Sequence, residues 1–321
     1  MKLMRKISGL LALCVLATSV AAATFPDRPV RLIVPFPAGG TSDILARLLQ
    51  TPASAAAGQQ FVIENRPGGA STIGSSAVAR APADGHTLLV ADLAIVVNPS
   101  LLKDMPYNTT KDFRGVIGLA KAPLVLLVNA NVPANTLQEL MAMAKARPGS
   151  LNFASGGNGA STHMAGEMFK LATGLDIVHV PFQGVAPAMN ALLGGQVEIY
   201  FGGTTTAQAH LASGKLKALA VTSDTRSPLL PNVPTFKESG VQGMNADTYW
   251  GLYAPAGTDD ARVKALNDIF RRAMADPAVV ARTRELGLEL IPNSPQEQQK
   301  QFTDMVQYWS DFIRKTGIKV E

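Results

Sequence analysis

Along residues 31–49 (RLIVPFPAGGTSDILARLL) an apolar run containing Leu32, Ile33 and Val34 stops at Pro35 and Pro37. Apolar positions resume at Ile44, Leu45, Leu48 and Leu49, spaced by three and four. The pattern predicts a strand, a tight loop on Ala38, Gly39 and Gly40, and a helix starting at Thr41, Ser42 or Asp43. The same order recurs over residues 150–169 (SLNFASGGNGASTHMAGEMF). There a short strand ends near Phe153, the loop is Gly156-Gly157-Asn158-Gly159, and a helix carries Met164, Ala165, Met168 and Phe169. A weaker third copy spans residues 197–211 (VEIYFGGTTTAQAHL).

Between these copies the periodicity alternates strand and helix. Strands are expected over 60–64, 87–91, 123–129, 177–180, 197–201, 216–221 and 249–254. Helices are expected over 71–79, 137–146, 187–195, 277–287 and 295–315, another starts at Asp259 or Asp260, and residues 99–105 read as a short helix or loop. Residues 226–240 are Pro-rich and read as an irregular excursion. On the last helix Phe302, Met305, Tyr308, Trp309 and Phe312 share one face, the pattern of a core stripe. The fold class expected is α/β, with two lobes, each a mostly parallel sheet flanked by helices. The strands near 124–128 and 249–253 are apolar enough to pass between lobes. That gives lobe 1 as 24–124 plus 249–321 and lobe 2 as 125–248.

The loops suggest chemistry. First-turn amides of a helix lack internal partners, and the helix dipole adds positive potential. A small anion can therefore lodge on residues 39–43 without Arg or Lys; the other reading is that Thr41 or Ser42 simply caps the helix. Two such loops far apart in sequence suggest two lobes whose amides face one cleft.

Residues 1–23 follow a different pattern. Lys2, Arg5 and Lys6 precede a mostly apolar stretch from 7 to 20, and Ala21-Ala22-Ala23 offers a cleavage point before Thr24. This reads as a secretory signal peptide. Cys14 lies inside that apolar stretch behind Leu13, a poor context for lipidation. Beyond it the chain has no cysteine, which excludes disulfides and thiolate zinc sites there. Three of the 29 basic residues fall in the leader against 24 acidic residues elsewhere, so the net charge of +5 drops to near +2 and gives no argument for nucleic acid.

Enzyme signatures are sparse. Gly157-x-Gly159 is followed by Thr162 where a third dinucleotide-binding glycine would stand, and no Walker loop or Gly-x-Ser-x-Gly elbow is present. His86, His163, His179 and His210 show no metal-ligand spacing, so no metal or cofactor is expected. His163 reads either as a hydrogen-bond donor into the cleft or as a capping or packing residue. Asp43 reads as a helix first-turn carboxylate that favours the dipole or holds the loop's shape. Phe36 and Phe182 are cleft walls or core.

The chain resembles the Bug, or TctC-like, substrate-binding receptors of tripartite tricarboxylate transport systems. The stretches that carry the resemblance include FPDRPVRLIVPFPAGGTSDILAR, VIENRPGGASTIGSSAVARAPADGHTLL, LNFASGGNGASTHMAGE, VPFQGVAPAMNALLGGQVEIYFG, KALAVTSDTRSPLLPNVPTFKESG and YWGLYAPAGT. The resemblance implies a two-lobed, type II-like periplasmic binding protein, monomeric, that closes on a small carboxylate. The ligand classes it implies are a di- or tricarboxylate, an aromatic acid or an acidic amino acid, and the partners are TctA/TctB-type membrane subunits. It further implies a grip from Pro37, Ala38, Gly39, Gly40, Thr41, Ser42 and Asp43 in one lobe. Opposite them it implies Ser155, Gly156, Gly157, Asn158, Gly159, Ala160, Ser161 and Thr162, with Phe182, Gly203 and Thr204 further round. Pro37-Ala38 stands where the family often has Tyr-Ala or Phe-Ala. Asp92, Leu93, Ala94, Thr206 and Asp247 are candidates for reading the rest of the ligand. The alternatives are a ligand-binding partner of a membrane sensor kinase and an enzyme acting on a small acid.

Overall fold

The computed structural model describes residues 25–244 and 246–318, so the signal-peptide expectation for 1–23 lies outside the described residues. Eleven strands and eleven helices are present among them. The first sheet has the order β11-β4-β10-β3-β1-β2 and the second the order β7-β6-β8-β5-β9. In the first, β1 (Val30–Val34) pairs in parallel with β2 (Phe61–Asn65) and β3 (Thr87–Ala91). In the second, β6 (Asn152–Ser155) pairs in parallel with β7 (Val178–Pro181) and β8 (Ile199–Gly203).

The expectation of mostly parallel sheets fails for the rest. β10 (Thr248–Pro255) runs antiparallel to both β3 and β4 (Phe113–Ala122), and the short β11 (Glu289–Leu290) is antiparallel to β4. β5 (Leu124–Asn129) is antiparallel to both β8 and β9 (Leu216–Val221). The reason lies in the crossings. β10 arrives from the second sheet and β5 from the first, and each begins beside the C-terminal end of a parallel strand: Gly251 opposite Ala91, Leu124 opposite Gly203. A strand entering at that end has to run the other way. The C-terminal ends of the parallel strands in both sheets therefore border the crossings.

The chain passes between sheets at Pro123 and again between Val221 and Thr248. The strand expected over 123–129 starts at Leu124 and is separate from β4 before it, because Pro123 has no N–H for a ladder. At the break the Leu124 amide donates to Thr222 Oγ1 (2.9 Å) and the Thr222 amide to the Leu124 carbonyl (2.9 Å), which ties the two crossing chains together.

Helices follow each parallel strand: α1 (Thr41–Ala57), α2 (Thr72–Ala79) and α3 (Ala94–Leu101) in the first half, α6 (Ser161–Thr173), α7 (Val185–Leu193) and α8 (Thr204–Ala212) in the second. The others are α4 (Thr109–Asp112), α5 (Leu137–Ala146), α9 (Asp260–Met274), α10 (Pro277–Glu285) and α11 (Pro295–Thr316). α3 replaces the helix or loop expected over 99–105. Its apolar run is buried nearly all round, so it lacks an amphipathic signature. Pro99 inside it frees the Ile95 carbonyl, and the Thr109 hydroxyl takes that bond instead (3.3 Å).

One cluster of buried apolar side chains runs through both sheets, from Ile33 and Leu89 to Phe153, Met164 and Phe201. A second lies on the other face of the first sheet, where Phe61 meets Phe270 edge-on at 5.3 Å. On α11, Phe302 and Trp309 are buried as the stripe predicted, whereas Tyr308 is 52% exposed. Its ring lies against those of Trp309 and Phe312 on the outside of the helix, so the stripe is narrower than the spacing suggested.

Candidate functional site

Capping divides the helices into two sets. α4, α5, α9, α10 and α11 start under a side-chain cap from Asn108, Thr136, Asp259, Asp276 and Ser294. The helices after parallel strands do not: their N-cap residues are Gly40, Ser71, Leu93, Ala160, Gly184 and Gly203, and none caps with its side chain. The reading that Thr41 or Ser42 caps α1 is thereby corrected. Both lie inside the helix, and Ser42 Oγ instead accepts from Trp250 Nε1 of β10 at 3.0 Å. That contact, 208 residues apart in sequence, anchors the first loop to the strand that follows a crossing.

Pro37, Ala38 and Gly39 are exposed, Phe36, Gly40 and Thr41 half-buried, and Ser42 and Asp43 buried. Phe36 packs on the core of the first sheet. Asp43 organises the loop. Its carboxylate accepts from the Gly39 amide (2.9 Å), Arg47 Nε (2.9 Å) and Asn65 Nδ2 (3.0 Å), and Asn65 also reaches the Phe36 carbonyl (3.1 Å). Burial pushes its pKa up, but the bonds from Arg47, Gly39 and Asn65 outweigh that and leave it below the ordinary carboxylate value. The Gly39 amide is thus spent on the loop, while those of Thr41, Ser42 and Asp43 meet no acceptor among the described residues.

The second loop is built the same way with neutral partners. The Gly156 amide donates to Thr162 Oγ1 (2.9 Å), Gly157 to Ser155 Oγ (3.2 Å) and Gly159 to His163 Nδ1 (3.2 Å). These three amides are engaged inside the loop rather than open to a ligand; those of Asn158, Ser161 and Thr162 meet no acceptor among the described residues. Asn158, Ala160 and Ser161 are half-buried. His163 stacks on His179 at 3.9 Å, and Phe153 stacks on His179 at 4.9 Å. Burial pushes His163 down to about 3, aided by His179 and Lys170, and His179 down to about 4, aided by Lys170. With Nδ1 accepting, the neutral His163 ring carries its proton on Nε2. His163 is buried, packed on His179 and bonded to the Gly159 amide.

His179 Nε2 lies 2.6 Å from Ser155 Oγ. This looks like half of a nucleophile–base pair, but Ser155 is fully buried and no carboxylate bonds the histidine among the described residues. Neither His179, Asn65 nor Trp250 was signalled by the sequence, since each reaches its loop only through the fold.

Phe182 is half-buried on the second sheet's core, its amide bonded to the Ser155 carbonyl. Gly203 starts α8, and Thr204 is buried against the first sheet's side: a Cβ placed on Gly287 would sit 2.7 Å from its Oγ1. Thr206 is exposed and bonds back to Gly203. Asp92 accepts the Ala94 amide (2.9 Å), and burial pushes its carboxyl up to about 7. It borders a cavity of about 10 Å³, room for one water, with Leu93, Tyr249, Tyr253, Gln298 and Gln301 among its walls. Ala94 is buried in α3. Asp247 stands beside the crossings, where burial raises its pKa against the pull of Lys121.

Both loops leave the C-terminal ends of parallel strands, β1 and β6, on the side where the chain crosses, the edge where open α/β sheets bind ligands. Residues 45–318 match the profile of the tripartite tricarboxylate transporter family receptor. The chain belongs to that family. Solved structures place this receptor among Bug and TctC-like binding proteins. The periplasmic binding protein BugD is 35% identical, with 92% of this chain and 100% of its own covered at a TM-score of 0.85. R. palustris Rpa4515 with adipate is 34% identical, covering 92% and 99% at 0.86. MatC (Rpa3494) from Rhodopseudomonas palustris with bound malate is 32% identical, covering 90% and 100% at 0.83. Among the described residues no helix is long and apolar enough to cross a membrane.

Proposed function

We propose that this receptor captures a small organic carboxylate between its two glycine loops and delivers it to a tripartite tricarboxylate-type membrane transporter. The leader at 1–23 exports it to the periplasm, where it acts as a monomer. Its lobes are 24–124 plus 249–321 and 125–248, and it binds without turning the ligand over. The observation that carries the reading is the pair of uncapped helix starts, α1 and α6, each at the end of a parallel strand that borders the crossings. Their free amides and dipoles suit a carboxylate with no cationic side chain among the loop residues. The printed ligands of two similar structures, adipate and malate, point to the same class. A ligand touching both lobes favours the closed form, since only differential affinity shifts such an equilibrium.

The test is a thermal-shift series on the purified protein with adipate, malate, aromatic acids and acidic amino acids. A true ligand raises the melting temperature by mass action. Gly40→Val is the loop variant: Gly40 has φ −77°, open to any residue, and a Cβ there would meet only the Pro37 carbonyl at 3.6 Å. A ligand-dependent shift in the native protein, lost in Gly40→Val, supports the reading. No shift with any acid, or chemical conversion of one, refutes it.

A further inference from the structure

Asn98 on α3 is fully buried. Its Nδ2 donates to the Ala70 carbonyl (2.7 Å) and lies 3.4 Å from Ser71 Oγ. A carbonyl only accepts, so this bond fixes which way the amide points. The opposite atom, Oδ1, has no donor among the described residues. Over it lies the second glycine loop: a Cβ placed on Gly159 would be 2.7 Å from Asn98 Oδ1, 3.5 Å from Leu101 and 3.8 Å from Val97. Gly159 cannot answer Asn98 with its own amide, which is bonded to His163. Ala70 and Ser71, with φ of 52° and 77°, are the non-glycine residues with positive φ among those described, and the Asn98 bond grips that strained turn.

We propose that Asn98 sets the threshold for lobe closure. The inference rests on the two-lobed receptor reading and adds its regulation. When the lobes part, Oδ1 is open to water. When they meet, Gly159 strips that water and returns no hydrogen bond, so closure carries the penalty of an unsatisfied buried acceptor. Contacts from a ligand that touches both lobes offset the penalty, and closure becomes ligand-dependent. Any side chain at Gly159 would strike Oδ1, and its φ of 77° favours glycine independently of that contact. Asn98 acts as a positioning residue that biases the lobes without touching the ligand.

Two variants test this. Gly159→Ala places its methyl on Oδ1 and should weaken adipate or malate binding at least tenfold. Adding Asn98→Ala removes the clash with Oδ1 but not the strain of alanine at φ 77°, and should raise affinity at least about threefold over Gly159→Ala alone. Asn98→Leu deletes the acceptor at similar volume, and its radius of gyration without ligand, by small-angle scattering, should be smaller than the native protein's. Wild-type affinity in Gly159→Ala, a double variant as weak as Gly159→Ala, or an Asn98→Leu protein as extended as wild type would each overturn the proposal. The scattering comparison needs no ligand. A native protein that no carboxylate stabilises would therefore refute the receptor reading while leaving the Asn98 test decided separately.

Discussion

Among the described residues, the six helices that follow parallel strands carry no cap from their N-cap side chain, while the five other helices are all capped. Ser294 even forms a full capping box with Glu297. Helix starts that serve only stability have their amides satisfied by the chain. Of the other six, amides at the starts of α2 and α3 bond Gly68, Gly69, Asp92 and Leu93, whereas α1 and α6 leave first-turn amides open and their loops are held by other means. The two loops differ in those means. The first relies on a charged carboxylate, Asp43, and the second on two neutral stacked histidines.

The largest expected effect comes from removing the first loop's organiser. Asp43→Ala leaves Gly39, Arg47 and Asn65 without their acceptor, costing about 2–3 kcal/mol in denaturant unfolding and at least tenfold in carboxylate affinity. Unchanged affinity would mean that loop shape does not matter to the site.

Acid should separate the two loops. His163 and His179 have depressed folded pKa values, near 3 and 4, while the unfolded chain takes up protons near 6.5. Their stabilisation is therefore full above about pH 6.5 and falls as pH drops toward 4, at up to about 1.4 kcal/mol per pH unit for each histidine. Asp43, with its folded pKa lowered below 3.8, gives stability that is present above that value and lost as pH falls through its folded pKa. Urea unfolding between pH 7 and 4 reads the histidines against an opposing slope from Asp92 and Asp247, whose buried carboxyls have raised pKa values and gain stability as pH falls. The histidine part is therefore the difference from a variant. His179→Phe, which keeps an aromatic ring in the stack, should flatten that slope. A slope equal to wild type would contradict the assignment.

The smallest effect belongs to the capped set. Ser294→Ala should cost about 1 kcal/mol of stability and leave ligand affinity unchanged. A loss of affinity would break the division between the two sets.

The sequence made the alternating elements legible because their signals are local. Residues 87–91, 137–146 and 216–221 formed as expected, and Asp259, Pro277 and Pro295 marked helix starts by their chemistry. α3 was misplaced because a helix buried on all sides has no amphipathic period. The glycine loops were found, but not which of their amides remain open. That depends on Asn65, His179 and Trp250, whose positions beside the loops follow from sheet order rather than from spacing. Asn98 was invisible for the same reason, since Gly159 reaches it from the other sheet.

On the proposed function, α6 begins uncapped because a carboxylate takes the cap's place. Ala160, its N-cap, has φ −63° and ψ 154°, a geometry that Asp adopts readily. Ala160→Asp would supply the missing cap and occupy the anion site with its own charge. Thermal unfolding with and without adipate or malate measures both consequences. The account predicts a ligand-free melting temperature above wild type, by a gain of about 0.5–2 kcal/mol, and no further rise with ligand. A variant that keeps the wild-type ligand shift would contradict it.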